Sequence, residues 1–105
     1  MTAVNQNFTM YQGDSKNLIV AVEGVTDLIG VTLKWGLRKR EYDTTNLVLK
    51  ENEITVSGTE IRIPLKPPDT ETLLGTYYHE CELTDQQGNV STLFTGIVTI
   101  LRSAV

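Results

Sequence analysis

The chain has 105 residues, a net charge of −4 and 40% hydrophobic against 21% charged residues. A single domain of this size buries roughly 65% of the surface its unfolded chain exposes, enough for one hydrophobic core. Acidic and basic residues are interspersed and no apolar run approaches the length of a membrane span, so neither a nucleic acid nor a membrane is an expected partner. The single cysteine excludes an intrachain disulfide. The first residues lack the basic-then-apolar layout of a secretory signal, and the expected site of folding is the cytoplasm.

Period-2 alternation runs through most of the chain and predicts strands. Leu18, Val20 and Val22 alternate with Ile19, Ala21 and Glu23. Val31, Leu33, Trp35 and Leu37 alternate with Thr32, Lys34, Gly36 and Arg38, placing four large apolar groups on one face. The densest basic stretch, Lys34 to Arg40, therefore reads as a solvated strand face rather than a phosphate-binding patch. Lys39 to Asn52 is less regular, with Leu47-Val48-Leu49 suggesting one short strand. Ile54 and Val56 pair with Thr55 and Ser57, and Ile61, Ile63 and Leu65 alternate with Arg62, Pro64 and Lys66. Each of these segments reads as half-buried.

Turn signals separate the runs at Gln12–Asp14, Glu23–Asp27, Ser57–Thr59, Pro67–Asp69 and Asp85–Asn89. Ser57-Gly58-Thr59 and Asp85–Asn89 are predicted to close hairpins. Only Asp69–Leu74 reads as helical, capped by Asp69 or Thr70 and stopped by Gly75 after about one turn, so it serves as a crossover between sheets. Seven or eight mostly antiparallel strands without a long helix predict one β-sandwich domain over residues 1–105, because a one-faced sheet must bury its apolar side against a second sheet. Trp35 in the third strand and Tyr77 or Tyr78 after a Pro/Asp/Gly corner sharpen this to the immunoglobulin-like type.

The only histidine and the only cysteine fall two residues apart in Gly75–Asn89. Alternation puts Tyr77, His79, Cys81 and Leu83 on one face and Tyr78, Glu80, Glu82 and Thr84 on the other. The first set is the core face, with His79 partly buried near a sheet end and Cys81 a small buried hydrophobe. Cys81 is placed where the second cysteine of a disulfide-bonded domain would stand. Zinc needs three or four ligands, and Glu80 and Glu82 point away, so no metal site is expected. A Cys/His nucleophile pair lacks an orienting third group, and no catalytic residue or cofactor is assigned. The separated Asp14, Asp27, Asp43, Asp69 and Asp85 lack calcium-loop spacing. The sequons at Asn7 and Asn89 carry no weight without a secretory signal.

In Val90–Arg102 both faces carry apolar groups: Phe94, Gly96, Val98 and Ile100 on one, Leu93, Ile97 and Leu101 on the other. Either Gly96 marks a bulge that switches the inward face, the simpler reading, or a partner covers the strand. Expected core positions are Val20, Leu33, Trp35, Leu37, Ile61, Ile63, Tyr77, Cys81 and Leu83.

A more specific pattern is carried by Gly13-Asp14 before the second strand, Trp35 in Lys-Trp-Gly-Leu, the corner Pro67-x-Asp69-Thr70, then Gly75-x-Tyr77 with Glu80, the hairpin Asp85-x-x-Gly88, and Thr95-Gly96. From about Tyr11 to Arg102 the chain resembles the small immunoglobulin-like domain of tailed-phage and prophage structural proteins, as at the N-terminus of baseplate upper proteins. The resemblance implies a non-enzymatic structural part of a phage or prophage virion, tail or baseplate associated, whose partners are other virion proteins and which could also be a homo-oligomer. Ending at Val105, it is expected to be an accessory or connecting part rather than a complete host-recognition device. Its nominated contact surfaces are the first strand around Phe8 and Tyr11, the Lys39–Leu49 segment and the last strand. The alternative is a ligand-binding, for example carbohydrate-binding, module with Tyr42, Tyr78 and Phe8 as candidate stacking aromatics, a reading that exposure of Tyr42 and Tyr78 on one shared flat surface would favour.

Overall fold

The computed structural model describes residues 5–22 and 28–103. The predicted turn at Glu23–Asp27 lies outside the described residues. Among the described residues eight strands appear in chain order, with one helical turn: β1 (Phe8–Tyr11), β2 (Lys16–Ala21), β3 (Thr32–Arg38), β4 (Val48–Lys50), β5 (Thr55–Ser57), β6 (Glu60–Leu65), α1 (Pro67–Thr70), β7 (Gly75–Thr84) and β8 (Val90–Leu101). They form a five-stranded sheet in the order β1-β8-β7-β3-β4 and a three-stranded sheet in the order β2-β6-β5. Every pairing is antiparallel except β1 with β8, which run parallel from Phe8↔Val98 to Tyr11↔Leu101.

All nine expected core residues are buried, and they pack with Leu18, Leu65, Leu93, Phe94, Val98 and Ile100 between the sheets. Trp35 is 0% exposed. It faces Cys81 across the β3–β7 pair, so the period-2 faces of the two strands meet in register. The Leu47–Leu49 signal corresponds to β4, and the hairpins at Gly58 and Asp85–Asn89 form as expected. In the second hairpin, Asp85 Oδ1 accepts hydrogen bonds from the Gln87 and Asn89 amides at 2.9 Å each. Those bonds, led by the Asn89 amide, hold the Asp85 carboxyl below its ordinary value.

Several sequence expectations give way here. The helical turn starts at Pro67, two residues earlier than predicted, because both prolines occupy its first positions, where a missing N–H costs nothing. Asp69 caps from within the turn: its Oδ2 accepts the Lys66 amide at 2.7 Å. Thr70 is not a cap but a buried link, accepting the Gly13 amide at 3.0 Å. Gly13 has φ +73°, a left-handed conformation that explains a glycine before β2. β5 is exposed at all three residues rather than half-buried, being a short edge strand. It stops at Thr55↔Arg62, two residues short of Pro64, which therefore sits in β6 without a β5 neighbour.

The bulge in β8 is real but lies elsewhere. Pairing with β7 slips between Cys81↔Phe94 and Glu82↔Thr92, so Leu93 is the extra residue and Leu93 and Phe94 both turn into the core at 1% and 2% exposure. Gly96 stays in regular register opposite His79.

Candidate interaction surface

His79 and Cys81 share the inward face of β7, as the alternation requires, but His79 is 0% exposed and lies mid-strand rather than partly buried at a sheet end. The indole Nε1–H of Trp35 donates to His79 Nδ1 at 2.9 Å, and His79 Nε2 lies 2.5 Å from the Gln6 carbonyl oxygen. An indole can only donate, so Nδ1 is the acceptor and the proton sits on Nε2, donated to Gln6. The ring is packed edge-on by Phe8 and Phe94, with centroids 5.3 and 5.8 Å away. Burial pushes the imidazole below its ordinary pKa. Both nitrogens are thus spent on structure, and none is left for a base or a ligand.

Cys81 is fully buried and its thiol is pushed up to about 12, first by burial and then by the Glu82 and Glu80 carboxylates. A thiol of that kind is no nucleophile at neutral pH. Among the described residues no group of three or more His, Cys, Asp or Glu side chains converges on one point. No helix among them is long and apolar enough to cross a membrane.

The Tyr77 hydroxyl bonds back to Leu74, accepting its amide at 3.0 Å and donating to its carbonyl at 3.1 Å. That assigns the tyrosine corner to Tyr77, not Tyr78. In disulfide-bonded domains of this architecture the corner tyrosine precedes the cysteine by two residues. The residue in that place is therefore His79, not Cys81, and its contact with Trp35 fills the space beside the buried tryptophan.

The outward face of the five-stranded sheet has two halves. Toward β3 and β4 it is charged: Arg38 pairs with Glu80, stacks over the Tyr78 ring at 5.1 Å, and Lys34 lies opposite Glu82. Burial first, then Glu80 and Glu41, raise the Tyr78 phenol above its ordinary value, so it is neutral at physiological pH. Toward β1 and β8 the face is almost uncharged. Rows of paired residues bring together Thr9, Thr99 and Thr76, then Ile97 and Tyr78, and at the sheet end Tyr11 and Leu101. Ile97, Leu101 and Tyr11 are 43%, 39% and 50% exposed. Beside them an open groove of about 340 Å³ runs between Asn7, Ile97, Tyr78 and the basic Lys39 and Arg40.

Of the aromatics nominated for stacking, Tyr42 is exposed, Tyr78 lies under Arg38, and Phe8 is turned against His79. The three rings do not share one surface. The nominated contact strands β1 and β8 do lie side by side, whereas Leu47 and Leu49 sit at the opposite edge on and beside β4. What sequence reading missed is the segment Gln6–Asn7, whose backbone and side chain bind Thr95, Ile97 and His79. Its one signal was Gly96, where a Cβ would stand 2.6 Å from the Gln6 carbonyl carbon and 2.7 Å from His79 Nε2. A glycine inside a strand can mark close backbone approach as well as a bulge.

No family model matches the chain, and no curated protein does. Among solved structures it is similar to parallel homodimers of the extracellular domains of the voltage-gated sodium channel β4 subunit, structures that explain that subunit's role in cell–cell adhesion. The TM-score is 0.53 at 16% identity, over 94% of this chain and 92% of that one. At that identity the likeness speaks for the fold alone. The chain is an immunoglobulin-like β-sandwich without a disulfide.

Proposed function

We propose that the protein is a non-enzymatic structural component of a phage or prophage particle, associated with its tail or baseplate and working through protein–protein contacts. The observation that carries the contact role is the uncharged outer face over β1, β8 and the start of β7, where Ile97, Leu101 and Tyr11 stand exposed among threonines. Depletion of charge at the centre of a patch, with aromatic and aliphatic groups and a charged rim, is how the cores of protein interfaces differ from ordinary surface. Here the rim is supplied by Arg38, Glu80, Lys39 and Arg40. The assignment to a virion rests on the sequence motifs at Gly13-Asp14, the Pro67 corner and Thr95-Gly96. A second copy of the chain is another candidate occupant of the face, since the sodium channel β4 domains of like fold form homodimers.

The test is to induce prophages in the source cells, purify the released particles and search them by mass spectrometry for peptides of this chain. Stoichiometric abundance supports a virion component, whereas absence from intact particles with the protein present in the lysate refutes it. Ile97→Arg, a surface change that leaves the core untouched, should abolish incorporation while the variant stays folded. Sedimentation of the purified chain separates self-association from docking on other subunits.

A further inference from the structure

Ahead of β1, the N-terminal strap attaches to β7 and β8 through three hydrogen bonds of Gln6 and Asn7. The Gln6 amide donates to the Thr95 carbonyl at 2.9 Å, the Ile97 amide donates to Asn7 Oδ1 at 2.8 Å, and His79 Nε2–H donates to the Gln6 carbonyl. The four-residue β1 that follows pairs with β8 alone among the strands, at the edge of the sheet. Such an element belongs to the low-stability end of a fold. The side chain at the centre of this attachment is the protein's single titratable imidazole.

We propose that His79 is an acid-sensitive latch: protonating its ring releases the Gln6–Tyr11 segment from β8 while the rest of the sandwich stays folded. A second proton can go only to Nδ1, which faces the Trp35 indole N–H, so two donors would point at each other. Among the described residues that pack on the ring, the new charge would also find no counter-ion. From β1 the ring meets Phe8, from β3 Trp35 and Leu37, and from β8 Phe94 and Gly96. On its own strand, Tyr77 and Cys81 share its face and Glu80 and Glu82 lie on the other. Lys16 sits over the Phe8 ring at 5.6 Å, and Lys39 over the Tyr77 ring at 4.6 Å.

An imidazolium can gain water in two directions, through Trp35 or through the strap. Trp35 is 0% exposed at the middle of the core, whereas Asn5 and Asn7 are exposed and Gln6 half-buried. Opening the strap breaks three hydrogen bonds and a short parallel pairing; opening the Trp35 side dismantles both sheets. The strap yields first. Linkage gives the sign: burial holds the closed-state pKa below the ordinary 6.5, so the closed form binds fewer protons than the open one. Closure is fully favoured above pH 6.5 and weakens as pH falls below it.

Hydrogen exchange followed by NMR from pH 7.5 to 4.5, corrected for intrinsic rates, tests this. Protection of the Gln6, Met10 and Ile97 amides should fall about tenfold per pH unit below 6.5, in step with a shift of the Trp35 indole proton, while Trp35 and Cys81 amides stay protected. His79→Gln, which cannot titrate, should flatten the profile. Should that variant fail to fold, the native Trp35 indole proton decides: a shift with the same midpoint as strap release upholds the latch. Strap protection that ignores pH, an indole signal that does not move with it, or loss of all protection together would overturn the proposal.

Discussion

Gly96→Ala adds one methyl group at the point where strap, β7 and β8 converge. The new Cβ would stand 2.6 Å from the Gln6 carbonyl carbon and 2.7 Å from His79 Nε2, closer than real Cβ contacts come. The Gln6 atom is backbone and His79 is walled in by Phe8, Phe94 and Trp35, so neither can swing aside as a flexible side chain could. The substitution must push the strap off β8. That forfeits the Gln6–Thr95, Asn7–Ile97 and His79–Gln6 hydrogen bonds, worth about 1 kcal/mol each. Against this stands a gain of about 0.4–1 kcal/mol from stiffening the unfolded chain. The expected net loss is about 2–3 kcal/mol, a large share of the ~5–15 kcal/mol typical of a domain. Urea unfolding followed by Trp35 fluorescence should show the midpoint falling by roughly 1–2 M for a slope of about 2 kcal/mol/M. An unchanged or raised midpoint would refute the steric argument and mean that the strap is not needed where it lies.

Tyr77→Phe removes the hydroxyl that both accepts from and donates to Leu74, and should cost about 1–2 kcal/mol in the same assay without altering the folded spectrum. Asp69→Ala takes away the partner 2.8 Å from Lys50 Nζ, whose residue is 7% exposed, and also the acceptor of the Lys66 amide. It should therefore destabilise by about 2–4 kcal/mol, more than Lys50→Met, which removes the buried charge itself. Native Cys81, buried with its thiol pushed up to about 12, should resist alkylating reagents at pH 8 and react only as fast as the chain opens, a rate read by mass spectrometry.

The alternation of Val31 to Leu37 and of Tyr77 to Leu83 identified both central strands and their inward faces, because a side-chain period of two is a property of the extended backbone whatever lies beside it. The hairpins at Gly58 and Asp85–Asn89 and the crossover after Pro67-Pro68 were legible for the same local reason: turn residues act through their own φ and ψ. That His79 and Cys81 share the inward face of β7 also followed from the alternation.

Other features depended on contacts between segments far apart in the chain. Whether Gly96 bends its strand or admits a neighbour depends on residues about ninety positions away, and only the fold brings Gln6 onto β8. The bulge settled at Leu93 because two consecutive large apolar groups both had room between the sheets, which no local pattern encodes. The burial of His79 was set by Trp35, 44 residues earlier, supplying a donor to one nitrogen while the strap supplied an acceptor to the other. Periodicity within a strand is local physics and can be read from the chain. Which polar groups meet inside the core is decided by packing, because a buried donor or acceptor must find its partner wherever the tertiary structure places one.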